Sequence, residues 1–215
     1  MSAAVTKPNP RRSAVQARSR ATVDRILNAA IAVIVEKGAE RATMTEIAQR
    51  ADVVIGSLYQ YFSEKREILK AILEAHNVEV EVMLRGAFSG VTSKDDFVAA
   101  MDAIAQGYFH QHRTSPLYRS IWSAVQTDAE LQALDVQDSL AKARILFDIA
   151  RPLYRKVDET DLMSTCALLM QTALTAARFA LAIPRPLGKR TLGVYQNMCR
   201  SLFLALEQAP QLTRR

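Results

Sequence analysis

Apolar side chains return every third or fourth residue along most of the chain, the spacing that lines one face of an α-helix. Val23, Ile26, Leu27, Ala30, Ile31 and Ile34 form the first such stripe, and Gly38 follows where a helix-ending C′ glycine is expected. Leu69, Ile72, Leu73, His76, Val80, Met83 and Leu84 form a second, opened by Glu64 and Glu67 at its N-terminal end. A polar, glycine-bearing connection over 86–94 follows. Further helices are predicted over 95–112, 116–127, 128–155, 159–183 and 189–208. Pro116 suits a start, Pro152 an end or kink, and Pro184 and Pro186 a separation of the last two. No long alternating pattern marks a strand, so the fold is expected to be all-α.

Between the first two stripes the pattern shortens. Thr43 can cap a short helix and Glu46 can reach back to it, a capping box, with Ile47, Ala48 and Ala51 on the buried side. Asp52 falls where the chain must turn sharply, in the left-handed conformation that Asp tolerates better than most residues. Val53 and Leu58 then point inward from a second short helix and its approach, leaving Ser57 and Gln60 outside. Two short helices, a tight turn and a long third helix make a helix-turn-helix, whose outward face enters the major groove of DNA.

The residues Thr43, Ile47-Ala48, Ala51, Val53, Gly56, Leu58-Tyr59, Tyr61-Phe62, Lys65 and Leu69 resemble the DNA-binding signature of the tetracycline-repressor (TetR) family of transcriptional regulators. The signature covers about a quarter of the chain. Asp52 stands where that family usually has Gly, and Val54 where it often has a capping Ser, a loss of about 0.5–2 kcal/mol of local stability. The resemblance implies a three-helix DNA-reading head on a helical-bundle body. It also implies groove-facing roles for Thr45, Ile55, Gly56, Ser57, Tyr59 and Gln60, and phosphate-holding roles for Thr43, Tyr61 and Lys65. Gln60 can pair with adenine, and Ile55 or Tyr59 can meet a thymine methyl. The predicted reading helix holds no Arg or Lys, the commonest guanine readers.

Charge agrees with a polyanionic partner. Of the net +6, residues 1–70 carry +5, with 12 Lys/Arg against 7 Asp/Glu. Residues 1–18, with Lys7, Arg11, Arg12 and Arg18, are expected as a disordered basic arm rather than a secretory signal, because no apolar core segment accompanies them; Arg20 lies just beyond. The expected domains are 19–70 for DNA binding and 71–215 for ligand binding and dimerisation. The most apolar segment, around 162–183, is interrupted by Gln171 and Arg178, so no membrane span is expected and a cytoplasmic location is. Cys166 and Cys199 have no metal-ligand spacing and are read as buried thiols. No metal and no cofactor is expected.

The last two helices carry apolar stripes: Met163, Cys166, Ala167, Met170, Ala173, Leu174, Ala177 and Leu181 on one, Tyr195, Met198, Cys199, Leu202, Phe203 and Leu206 on the other. Taken alone, the stripes fit an intramolecular core equally well. The resemblance turns Met163, Cys166, Met170, Ala173, Ala177, Tyr195, Met198, Leu202, Phe203 and Leu206 into an expected homodimer interface, which would present two heads to a palindromic operator. It also implies a small, largely apolar effector bound in the body, with Tyr108, His112, Trp122, Gln126, Phe147 and Met170 as the expected wall. Repression, rather than activation, comes from the resemblance alone. The alternative is a DNA-binding protein without a small-molecule effector, controlled by a protein partner or organising DNA. Asp135 and Asp138, ahead of Lys142 and Arg144, lack a nucleophile, metal set or phosphate loop, so they are read as capping and surface pairing, and no enzyme is expected.

Overall fold

The computed structural model describes the backbone of residues 10–208 and the side chains of 17–206. Among these residues there are nine helices and no strand: α1 (Pro10–Lys37), α2 (Met44–Arg50), α3 (Ile55–Tyr61), α4 (Lys65–Ala87), α5 (Lys94–Thr114), α6 (Pro116–Thr127), α7 (Ala129–Ala150), α8 (Glu159–Ala182) and α9 (Arg185–Gln208). The chain divides between Glu74 and Ala75 into two compact units, so α4 contributes to both.

Three boundaries depart from the sequence reading. The arm expected over 1–18 is helical from Pro10 onward; Lys7 lies outside the described residues. Pro10 suits a first helical turn, and the Ala, Arg and Gln that follow are helix formers. The helix expected over 128–155 stops at Ala150, because Pro152 cannot continue it; the Arg151 guanidinium donates instead to the carbonyls of Tyr154 and Val157, at 3.2 and 3.0 Å. The last helix starts at Arg185 rather than 189, since Pro186 is harmless in a first turn, where no N–H partner is needed.

In the first unit, Ile26, Ala30 and Ile34 of α1, Ile47 and Ala48 of α2, Leu58 of α3 and Ile68, Leu69 and Ile72 of α4 are buried. In the second, an aromatic knot ties α5 and α9 to the flanking turns. The ring of Phe97 lies 4.9 Å from Phe203, 5.2 Å from Phe88 and 5.9 Å from Tyr154. Val80 and Leu84 of α4, Leu146 and Phe147 of α7, and Leu162, Cys166 and Leu169 of α8 complete this core. The Tyr195 hydroxyl donates to the carbonyl of Leu169 at 3.0 Å, pinning α9 on α8.

Burial corrects the expected interface. Cys166, Ala177, Tyr195 and Phe203 are buried in the chain's own core, so they cannot also form a surface between two copies, and Met163, Met170, Ala173, Leu202 and Leu206 are partly buried beside them. Sequence periodicity finds an apolar face without saying which molecule covers it. Of the ten expected residues only Met198 is exposed. The apolar groups that do face outward on these helices include Leu168 and Phe179 of α8 and Leu187, Val194, Met198 and Leu204 of α9.

By length and composition alone α8 could cross a bilayer. Its apolar content is accounted for by packing against α7 and α9, with Leu162, Cys166, Leu169, Leu174, Ala177 and Ala180 buried. Asp135 and Asp138 also differ from expectation. Neither caps a helix; Asp128 caps α7 instead. Asp138 pairs with Lys142 in a largely buried ion pair to which Asn77 adds its side-chain oxygen, 3.3 Å from Lys142 Nζ, and Asp135 accepts from Gln171 at 3.2 Å. Burial raises the pKa of both carboxyls.

The approach of α9 to α8 requires one glycine. A Cβ on Gly188 would land on the carbonyl oxygen of Ala180. Backbone cannot swing aside as a flexible side chain does, so Gly188→Ala is expected to destabilise the body by about 1–3 kcal/mol. Urea unfolding of the wild type and the variant measures this; equal midpoints would contradict the close packing.

Candidate functional site

The head is built by short-range rules. Gly38 adopts φ 86° and its N–H returns to the Ile34 carbonyl at 2.8 Å, ending α1. Thr43 and Glu46 form the capping box at α2, and Glu46 also takes an ion pair from Lys37 of α1. That pair and the Thr43 bonds hold the Glu46 carboxyl below its ordinary pKa. Arg50, at the other end of α2, pairs with Glu36. Asp52 takes the left-handed conformation at φ 51°, and Val53 N–H reaches back to Ala48 at 3.1 Å, closing the turn. Val54 begins α3 with no side-chain cap.

This frame buries Leu58 and turns the rest of α3 outward. Ile55, Gly56, Tyr59 and Gln60 are exposed, Ser57 is half-buried, and Thr45 at the start of α2 is exposed nearby in sequence. Tyr61 is exposed as well, rather than part of the core. Val54 is 74% exposed, an apolar group at the start of α3 in the place where a side-chain cap is lacking. Two expected phosphate holders have structural duties. The Thr43 hydroxyl serves the capping box, and Lys65 Nζ donates to the carbonyls of Ala39 and Glu40, both at 2.8 Å. An ammonium has three hydrogens, so one remains for another acceptor.

The body holds a stack of polar aromatics. His76 lies 4.1 Å from Tyr118 and 6.3 Å from His112, whose ring is 4.3 Å from Tyr108. His112 Nδ1 donates to the Tyr108 carbonyl at 3.0 Å, which fixes its tautomer when neutral. His76 Nδ1 has no partner among the described residues. Burial, with Lys142 and His112 adding to it, pulls the pKa of His76 down to about 3, and burial lowers that of His112 too. Tyr118 accepts from Gln111 at 3.0 Å and donates to Glu79 at 3.3 Å.

Beside this stack a cavity of about 480 Å³ opens between α6 and the end of α8. His112, Tyr118, Arg119 and Trp122 line one side; Thr175, Arg178 and Phe179 are on the other. Of the six residues expected as an effector wall, only His112 and Trp122 line it. Phe147 belongs to the core, Tyr108 and Met170 pack against it, and Gln126 is exposed at the end of α6. Arg178 was visible in the sequence as a charge interrupting an apolar helix, but such a charge does not announce a cavity.

A capped helix, a sharp turn and a short exposed helix define a DNA-binding regulator of the helix-turn-helix class. Residues 26–72 match the family described as "Bacterial regulatory proteins, tetR family", and 95–206 match "Tetracyclin repressor-like, C-terminal domain". The chain belongs to the TetR family of bacterial transcriptional regulators. It is 33% identical over 86 residues to the uncharacterised regulator YvdT of Bacillus subtilis, covering 40% of this chain and 43% of that one. It is 36% identical over 66 residues to the uncharacterised regulator TtgW of Pseudomonas putida, covering 31% and 49%. The matched stretches thus span under half the length of these relatives. Among solved structures, SmeT, the repressor of a Stenotrophomonas maltophilia multidrug efflux pump, superposes with a TM-score of 0.64 at 23% identity, covering 83% of this chain and 88% of that one. A SmeT–triclosan complex superposes with a TM-score of 0.63 at 24% identity, covering 84% and 90%. At these identities the likeness shows the fold.

Two outcomes are expected. Lys65→Ala should lower stability by about 1 kcal/mol through the lost carbonyl bonds. Measured in the absence of DNA by urea unfolding, an unchanged midpoint would free Lys65 of this duty. Separately, between pH 6.5 and about 3 the unfolded chain binds a proton at His76 that the folded chain refuses, so stability falls on acidification, by at most about 1.4 kcal/mol per pH unit. His76→Phe should flatten that fall in urea titrations across the window while leaving pH 7 stability nearly unchanged.

Proposed function

We propose that this regulator acts in the cytoplasm as a homodimeric repressor that holds a palindromic operator and releases it when a small, largely apolar effector enters the body. The exposed, cation-free face of α3 carries the reading. In this assignment the DNA-binding domain is 19–70 and the ligand-binding and dimerisation domain 71–215. Gln60 reads adenine, Ile55 and Tyr59 meet thymine methyls, and Thr45, Gly56 and Ser57 let the helix sit close. Thr43, Tyr61 and the spare hydrogen of Lys65 position the head on phosphates without specifying sequence.

Dimerisation is supported by Leu187, Val194 and Met198, which recur along one exposed face of α9, and by exposed Leu168 of α8. A single seven-residue reading helix contacts few bases, and two-fold symmetry sets two of them about 34–36 Å apart on one side of the duplex. Effector control is supported by the body cavity, whose size falls in the usual range of ligand pockets, and by the fold shared with SmeT, itself solved with triclosan.

Selection of binding sites from a random duplex library tests the reading. Wild type should enrich a palindrome, Tyr59→Ala should lose it, and Gln60→Ala should relax one A·T position in each half-site at a cost of about 1–3 kcal/mol. Salt-dependent association with every sequence alike, without enrichment, would overturn site-specific regulation.

A further inference from the structure

The charge at the body cavity is one-sided. Arg119 and Arg178 both line it, no Asp or Glu does, and neither guanidinium makes an ion pair among the described residues. Arg119 donates only to the carbonyl of Arg113, at 3.3 Å. Arg178 rests on the Trp122 ring, 5.3 Å from its centroid. One carboxylate, Glu79, is tied to the lining, where it accepts from the Tyr118 hydroxyl. On the same wall Trp122 is 92% buried, being 8% exposed, and its indole N–H has no acceptor among the described residues. The buried Trp122 donor without a partner is costly, while Arg119 and Arg178, both exposed, keep their donors free of any carboxylate, so one anionic acceptor can meet all three. Desolvation lowers the pKa of Arg178, the reverse of what a neighbouring carboxylate does. The rest of the lining is aromatic or aliphatic: Phe179, Leu181 and Ala182 beside the rings of His112, Tyr118 and Trp122.

We infer that the cavity between α6 and the end of α8 binds an amphipathic organic anion, an aromatic or aliphatic body bearing a carboxylate that meets Arg178, Arg119 and the Trp122 indole N–H. This rests on the reading of the body as an effector-binding unit and narrows the ligand from merely apolar to anionic. Arg178 and Arg119 supply the discrimination; the aromatic walls supply area. Thr175 offers a further hydroxyl at the rim.

Trp122 is the only tryptophan of the chain, so its fluorescence reports on this wall alone. The full-length protein is titrated with 4-phenylbutyrate, decanoate and hexadecanoate, each beside its neutral amide, up to about 5 mM, the range of weak millimolar affinity. At least one acid is expected to quench Trp122 about tenfold more tightly than its amide. Arg178→Gln should abolish that preference while still binding the amide, which shows the variant is folded, and Arg178→Lys should restore part of it. Arg119→Gln should weaken the preference. Equal binding of acids and amides, a preference that survives both glutamine variants, or no binding by any of the six would overturn the inference. DNA binding is followed in the same titrations. An acid that fills the cavity yet leaves operator affinity unchanged would remove effector control and keep the site. Operator release by the amides alone would keep effector control and remove the anion.

Discussion

The Glu46 carboxylate joins the first two helices of the head. It closes the capping box with Thr43 at the start of α2 and takes the ammonium of Lys37 from the end of α1, so one group fixes both the beginning of α2 and its place on the platform helix. Helices α2 and α3 have seven residues each. Isolated helices of that length do not persist in water, because nucleation costs more than a few hydrogen bonds return. The exposed face of α3 therefore exists only through tertiary anchorage: Leu58 buried beneath it, Asp52 turning left-handed before it, and Lys65 clamping the start of α4 to the carbonyls of Ala39 and Glu40.

Much of the head was nevertheless legible from residues. A capping box, a C′ glycine and a left-handed Asp are decided within four or five positions of chain, where spacing alone states the geometry. The capping box at Thr43, the turn at Asp52 and the uncapped Val54 all stand as the sequence predicts. Lys65 was the exception. Its partners lie 25 and 26 residues away, and no local pattern distinguishes an ammonium held by carbonyls from one awaiting a phosphate.

The body was legible as helices but not as faces. An apolar stripe is the same signal whether a neighbouring helix or a second molecule covers it, and Cys166, Tyr195 and Phe203 proved to be covered from within. Polar residues misled in the opposite direction. Asp138 and Lys142 stand one turn apart, the usual mark of a solvated helix surface, yet the pair is largely buried and tied to Asn77 of α4. Sequence spacing reports which groups can meet; the dielectric in which they meet is set by helices that arrive from elsewhere in the chain.

Cations are paired in both units, Lys142, Arg144, Arg151 and Arg200 among those of the body, and Arg178 is an exception. In the head, Lys37, Arg50 and Lys65 have protein partners, so their charges fix structure, while the outward face of α3 carries amide, hydroxyl and apolar groups. In the proposed reading, such a face would discriminate through methyl packing and amide pairing, each modest in energy. In the body, Arg178 lies on an aromatic ring at a cavity wall with no carboxylate to neutralise it. Arg178 is exposed at that wall, so its charge stays hydrated and its guanidinium remains available as a donor to an anion. A ligand that meets Arg178 shifts an equilibrium only if its hold on that guanidinium differs between two arrangements of this unit.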